Sequence, residues 1–245
     1  MLYYGMVTEP ASKPSGHFLV ISIFLLSLVP LGWAGADRIG GIGIQNEPSS
    51  IAPFLLPGMY SRVLGDREID VHAKLSEPQP GDSLRVYSFY AAMVVGASQK
   101  TTRRILTDYP LYSQMIPYVD RTDFHPDSHI LEVEGGIWKF KMKSSIFLQE
   151  KSERWLLFRV VGGHFKGLEG NVFFLPEGIG KTAVYFAGSQ THQTFPPRFV
   201  IERGAEIVFG FTAKRMRSYI ESKKNAPDQG VDQNGTEIPQ PRSHL

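Results

Sequence analysis

Residues 197–223, PRFVIERGAEIVFGFTAKRMRSYIESK, form the only long stretch beyond the N-terminal leader with helical periodicity. Val200, Gly204, Ile207, Val208, Phe211 and Tyr219 fall on one side, and Glu202, Arg203, Glu206, Lys214 and Arg217 on the other. Between Arg85 and His192 the pattern is instead that of strands, interrupted by one short helical patch. A helix of about 40 Å, at 1.5 Å per residue, laid against a run of antiparallel strands predicts a curved sheet wrapped around a helix. Such an arrangement leaves room for a pocket between the two.

Working outward from that stretch, the 245 residues read as one domain with flanking segments. A formal net charge of +2 is too small to argue for nucleic acid, and no clustered Lys/Arg stripe carries interleaved aromatics. The 42% hydrophobic and 12% aromatic content supplies a core or a lined cavity. The chain has no cysteine, which excludes disulfides, thiolate metal sites, a cysteine nucleophile and a lipobox.

Phe18 to Leu31, FLVISIFLLSLVPL, is an apolar run preceded by Lys13 and followed by Ala34-Gly35-Ala36. It reads as a signal peptide, residues 1–36, cut after Ala36, and predicts an exported protein, periplasmic or secreted. An uncleaved membrane anchor is the competing reading; the run is short against the roughly 20 residues a span needs, and Pro30 interrupts it. Residues 37–66, rich in Gly, Pro and Ser at their start, read as an extended lead-in, and 67–224 as the folded domain. Residues 225–245 are polar and predicted to be disordered.

Within the domain, Glu68 to Leu75 alternates as a strand. Leu84 to Val95 then places Tyr87, Phe89, Ala91, Met93 and Val95 on one face. Ser98 to Met115 is helical, with Ser98 as N-cap and Pro110 dividing it in two. Ile130 to Leu148 reads as a hairpin turning at Gly135-Gly136, with Val133 opposite Trp138, Leu131 opposite Phe140 and Glu132 opposite Lys139. Its exposed face carries Lys139, Lys141 and Lys143; its buried face carries Trp138, Phe140, Met142, Ser144, Ile146 and Leu148. For Trp155 to Val161, a three-residue loop ending at Glu153 buries Leu156, Phe158 and Val160 and spares Arg159. Strands at Phe165 to Leu175 and Lys181 to Gln190 complete the sheet.

Four segments, LTDYPLYSQMIPYV (106–119), VVGGHFKGLEGNVFFLP (160–176), KTAVYFAG (181–188) and FPPRFVIERGAEIVFGFTAKRMRSYIE (195–221), resemble in order and spacing the START-like helix-grip superfamily (SRPBCC). The nearest branch looks like the coenzyme Q-binding and polyketide cyclase/dehydrase-like proteins, and the likeness covers roughly Glu68 to Lys223. It rests on Leu106-Thr107-Asp108-Tyr109 followed by Pro117, and on the Gly163-x-Phe165-Lys166-x-x-x-Gly170 strand. The resemblance implies an α+β fold, a seven-stranded curved antiparallel sheet wrapped around a long C-terminal helix, with two short helices after the first main strand. It also implies a lipid, sterol, quinone or polyketide in the cavity, or less often cyclisation or dehydration there. Two positions depart from it. Thr102-Arg103 stands where relatives often carry Val-Trp, and Val172 stands where many carry Trp, which leaves room for a larger cavity.

The expected cavity is lined by Tyr87, Phe89, Met93, Trp138, Phe140, Met142, Phe158, Val172, Phe174 and Phe186 from the sheet, and by Phe211 and Arg215 from the helix. An ordinary packed core produces the same alternation. Ser144, Thr182 and Arg215 are the polar groups placed to reach inside, Arg215 toward an acidic or phosphate head group or else snorkelling to water. Asp120, Asp123, His125, Asp127 and His129 are ligand-type residues on what reads as an ordinary turn, so no metal is expected, and no cofactor. His164 and Glu169 fit a structural role better than an acid/base pair. GIGKT (178–182) is a hairpin turn, since Leu175 stands where a phosphate loop needs glycine. No G-x-S-x-G or H-E-x-x-H motif is present.

The reading is an exported, non-enzymatic carrier of a hydrophobic small molecule. The alternatives are a cyclase or dehydratase using the same cavity, and an interaction module whose Lys139, Lys141, Lys143 row meets an acidic partner or, transiently, a membrane surface. Oligomeric state is not specified by the sequence.

Overall fold

The computed structural model describes residues 46–77, 83–137, 140–193, 195 and 197–224. The expected signal peptide and C-terminal tail, together with Trp138 and Lys139, lie outside the described residues, as does the side chain of Phe140.

A 3-10 turn (Ala52–Phe54) and α1 (Met59–Leu64) precede β1 (Asp70–Leu75) and β2 (Arg85–Val95). Next come α2 (Gln99–Leu106), a second 3-10 turn (Tyr109–Leu111) and α3 (Tyr112–Met115). The strands β3 (Val119–His125), β4 (Ile130–Ile137), β5 (Phe140–Ser152), β6 (Trp155–Gly163), β7 (Glu169–Pro176) and β8 (Thr182–His192) lead to α4 (Arg198–Lys223). The strands form one antiparallel sheet in the order β1-β2-β8-β7-β6-β5-β4-β3, and α4 lies along β1 and β2. This is the α+β helix-grip arrangement that the START-like resemblance implies, with eight strands instead of seven. The additional strand is β1, which extends the edge by pairing Val71 with Ala91 and Leu75 with Tyr87.

Local chemistry sets the boundaries. Ser98 caps α2 by accepting from the Thr101 N–H at 3.2 Å. Pro110 falls in the first turn of the 3-10 segment, where its missing N–H costs nothing. Beyond it, the Thr122 hydroxyl donates to the Tyr109 carbonyl at 2.7 Å and fixes the short helices to β3.

The Gly135-Gly136 pair does not make the hairpin turn. Both glycines lie within β4, where Gly135 pairs with Met142 and Ile137 with Phe140, so Val133 opposes Ser144, Leu131 opposes Ile146 and Glu132 opposes Ser145. Their place is explained by the incoming chain. The Gly136 N–H donates to the Tyr118 carbonyl at 2.9 Å, and a Cβ on Gly135 would sit 2.0 Å from that oxygen. Glycine here admits a close backbone crossing beside the irregularity between Val119 and Arg121.

For β6, the expected face is right and the turn is different. Glu153-Arg154 is a two-residue turn closed by Ser152 opposite Trp155, and an irregularity between Glu150 and Ser152 supplies the offset that puts Leu156, Phe158 and Val160 inside.

The sheet has two covered faces. On the convex side Tyr90, Trp155, Phe173 and Tyr185 form an aromatic layer with Val94, Leu175 and Ala183, under Ile51, Phe54, Leu55, Tyr60, Val63 and Leu64. The described part of the lead-in is therefore folded onto the sheet rather than extended, with Ile51 and Val63 fully buried. On the concave side lie α2, α3 and α4.

The buried stripe of α4 is Ile201, Gly204, Ala205, Ala213 and Ile220, with Phe209, Met216 and Tyr219 packed beside it. This corrects the expected stripe, because Ile207 and Phe211 are exposed. The helix carries apolar residues on both sides, and the side that packs is the one held by polar ties. Glu202 accepts from the Leu75 N–H at 2.9 Å, Arg217 donates to the Arg67 carbonyl at 2.6 Å, and Glu221 accepts from the Gly96 N–H at 2.7 Å.

Candidate functional site

The concave face is a lattice of apolar side chains that alternate with the convex layer along each strand. An aromatic row runs across it. Tyr87 stands 5.7 Å from Phe89, Phe89 stands 5.3 Å from Phe186, and Phe186 stands 5.1 Å from Phe158. Gly188 makes this row possible, since a Cβ there would meet the Phe158 and Phe89 rings, each at 3.1 Å. From above, the Phe209 ring of α4 stacks on Phe89 at 4.5 Å and meets Phe186 edge-on at 6.1 Å.

The expected lining residues separate into three groups. Tyr87, Phe89, Met93, Phe158 and Phe174 are buried on the concave side of the sheet. Met142, Val172 and Phe186 are half-buried, and Val172 and Phe186 pack on the main cluster. Phe211 and Arg215 do not line the site, because both are exposed on the outward side of α4. Phe209 takes the place expected of Phe211. The signal for it was available in the i, i+4 series Ile201, Ala205, Phe209, Ala213, which small residues disguise as a weak stripe. Leu156, Leu148, Ile146, Val133 and Phe124 also belong to this face, with Leu131 among them.

The far wall is built by the short helices. The Tyr109 ring lies 4.8 Å from Phe124 and 5.7 Å from Tyr112. The Tyr112 hydroxyl donates to the Leu106 carbonyl at 2.7 Å, and that of Tyr219 donates to Gln114 Oε1 at 3.1 Å, which joins α4 to α3.

The polar groups on this side are already engaged. Ser144 donates to the His164 carbonyl at 2.6 Å, and the buried Thr182 hydroxyl donates to the Ala97 carbonyl at 2.8 Å. His164 Nδ1 accepts from the Lys143 N–H at 3.1 Å, while Glu169 pairs with Arg159 at 2.9 Å, so those two form no acid/base couple. Glu150, at the rim, pairs with Arg103 at 2.6 Å. Burial, reinforced by Glu150 and opposed by Arg103, pushes the Tyr109 phenol up to about 12. Burial, with Glu202 and Glu206 adding to it, also raises the Tyr87 phenol, and burial with Tyr109 raises that of Tyr112. All three remain neutral at ordinary pH, and none is poised to exchange a proton near neutrality.

The ligand-type residues of the β3–β4 hairpin point elsewhere. Asp120 pairs with Lys141 at 2.6 Å and Asp123 with Arg121 at 3.4 Å; among the described residues no three metal-ligating groups converge. The lysine row is likewise neutralised where it is described, with Lys143 held by Glu132 at 2.8 Å and Glu134 at 3.0 Å. GIGKT closes the β7–β8 hairpin, where the Glu177 N–H donates to the Lys181 carbonyl at 3.0 Å.

Comparison with protein-family models finds no match, and comparison with curated proteins finds none either. Among solved structures, the chain is similar to a START superfamily protein from Mycobacterium smegmatis, with 18% identity and a TM-score of 0.49 over 55% of this chain and 97% of that one. It is similar to an aromatase/cyclase from Streptomyces sp. R1128, with 10% identity and a TM-score of 0.45 over 58% of this chain and 97% of that one. A di-domain ARO/CYC protein of the BE-7585A biosynthetic pathway overlaps 58% of this chain and 50% of its own, with 11% identity and a TM-score of 0.46. The helix-grip assignment rests on the strand order and on α4, not on these overlaps.

Proposed function

We propose that this protein binds a hydrophobic small molecule, a lipid, quinone or polyketide-like compound, between the concave face and α4, and that it does so as an exported carrier. The observation that carries the reading is the unequal cover of the sheet. Val133, Ile146, Val172 and Phe186 sit well inside the concave face yet are only half-buried, because α4 rests on β1 and β2 at one edge. Apolar surface left partly wet in this way gains roughly 25 cal/mol per Å² when a ligand covers it, before the cost of association. The cyclase reading requires an acid or base at the reacting atom. The described strand positions in the middle of the concave face supply none, and its phenols are raised away from neutrality.

The test is native and denaturing mass spectrometry on the full-length gene product recovered from its own type of cell, with the organic extract analysed in parallel. The expected result is a native mass excess that vanishes on denaturation, a lipophilic compound in the extract, and a chain beginning at Asp37. A clean apo mass together with no uptake of added lipid or quinone would sink the carrier reading. A bound ligand on a chain that still begins at its first residues would sink the cleavage reading alone.

A further inference from the structure

Six large apolar side chains among the described residues are exposed, and three of them, Phe199, Ile207 and Phe211, lie on α4. They fall in a single i, i+4 row, Phe199, Arg203, Ile207, Phe211, Arg215, in which every member is exposed. The row runs about 24 Å along the side of α4 turned away from the sheet. It alternates apolar groups with cations, and Lys214 lies beside it. Among the described residues neither Lys214 nor Arg215 has an ion-pair partner.

The carboxylates of α4 leave this row basic. Glu202 and Glu221 turn to the β1 and β2 side, where they accept from the Leu75 and Gly96 N–H groups, and Glu206 is taken by Arg203 at 2.7 Å. The contrast with the lysines of β5 is chemical. Of those, Lys141 and Lys143 are met by carboxylates across the sheet, whereas Lys214 and Arg215 flank an exposed phenylalanine.

We infer that the outward row of α4 is a docking surface for an anionic membrane face, with Phe199, Ile207 and Phe211 entering the interface and Lys214 and Arg215 meeting lipid phosphates. No described helix is long and apolar enough to cross a membrane, so the contact lies in the interfacial plane. A second copy of the chain is the poorer occupant, since it brings the same unpaired cations and no free carboxylate from this face. The inference is independent of whether the concave face holds a ligand. The two are nevertheless adjacent, because the opposite side of the same helix places Phe209 on Phe89.

The chain has no cysteine, so Ser218→Cys in the full-length protein supplies a single attachment point for an environment-sensitive fluorophore on the same side of α4. Phosphatidylcholine vesicles containing about 30% phosphatidylglycerol are expected to shift its emission to the blue, and pure phosphatidylcholine to do so far more weakly. The charge reversal Lys214→Glu/Arg215→Glu should raise the lipid concentration at half-shift about thirty-fold or more, at roughly fivefold per lost cation. Phe211→Ser should weaken docking in the same assay, and a label at Ser128→Cys, on the β3–β4 turn, should not respond. No shift at position 218 would overturn the inference. So would a shift that survives both sets of substitutions, which would place the contact in the N-terminal apolar run. A shift without vesicles that grows with protein concentration would assign the row to a second copy, and an equal shift with polyglutamate alone to an acidic protein.

Discussion

The two faces of the sheet are made from the same strands and covered in different ways. On the convex face, residues 46–66 press Ile51, Phe54 and Val63 onto Phe173 and Tyr185, both of which are 0% exposed. On the concave face a longer helix covers less, because it lies along one edge and leaves Val172 and Phe186 half-buried. A short segment thus seals one layer while a 26-residue helix leaves the other partly open. On the function proposed above, the convex layer serves stability and the concave layer serves binding.

The largest expected effect tests the first half of that statement. Phe173→Ala removes a ring that lies 5.7 Å from Trp155 and 6.2 Å from Phe54, in a layer with no room to collapse. A loss of about 3–5 kcal/mol is expected in urea unfolding. A loss below about 1 kcal/mol would mean that the strap is loosely laid and the comparison is wrong.

The second half is tested by filling instead of emptying. Val172→Trp adds bulk where the face is half-open, so it should cost less than about 1 kcal/mol while abolishing the native mass excess that the carrier reading expects. The same change in a closed core forces off-rotamer packing and costs about 1–3 kcal/mol. Such a cost, with ligand retained, would identify the concave face as filled.

These two faces were not equally legible in the sequence. Period-two alternation placed Tyr87, Phe89, Met93, Phe158, Val172, Phe174 and Phe186 on the concave side, because pleating leaves no other choice once the strand is right. The convex layer was missed, although its signal is present. FYAAMVV in β2 and AVYFAG in β8 are apolar at consecutive positions, the mark of a strand covered on both sides. The cover itself begins in a Gly, Pro and Ser-rich stretch, whose composition describes a loop and is silent about the six apolar anchors that the cover delivers. On α4 the error had a different origin. The helix has two apolar rows, and the bulkier one, with Ile207 and Phe211, faces outward, while Ala205 and Ala213 pack inward because small residues let the helix approach β1 and β2. Local periodicity cannot rank two such rows. The Gly135-Gly136 pair failed for a related reason, since a turn and a close crossing both require glycine, and only the position of Tyr118 tells them apart.

A smaller effect reads the rim of the convex layer through pH. Asp70 is 6% exposed and accepts from the Tyr90 phenol at 2.9 Å. Burial raises its carboxyl above the ordinary 3.8 and outweighs the Tyr90 hydrogen bond and the nearby His72 and Arg62, which lower it; Glu68 adds to the rise. The folded chain therefore holds this proton more tightly than the unfolded chain does. Its contribution is fully present below the unfolded value and is lost as pH rises through the folded one. Asp70→Asn should flatten that part of the stability profile, measured as urea midpoints between about pH 3 and pH 7. An unchanged slope would show that Asp70 stays hydrated and that the seal ends short of β1.

The smallest effect bears on how tight the seal is. Each side of the sheet has one buried hydroxyl without a partner among the described residues: Tyr185 in the convex layer, and Thr102 in α2, which covers the other side. An unpaired buried hydroxyl costs the water it has lost. Where no water reaches it, deleting the group should be neutral or favourable. Tyr185→Phe is therefore expected to leave stability unchanged or to raise it by up to about 1 kcal/mol, since the ring keeps its contacts with Tyr90 and Phe54 and only the orphan oxygen is removed. Thr102→Val is the matching change beneath the looser cover; Thr102 is as fully buried as Tyr185, so a loss of about 0.5–1.5 kcal/mol is expected only if water arriving through the half-open face reaches its hydroxyl. Opposite signs for the two substitutions in parallel unfolding curves would mean a dry layer on one side of the sheet and a wet one on the other. Equal signs would mean that the two covers differ in area alone, and that the half-buried residues of the concave face are no more accessible to a ligand than the aromatic layer behind them.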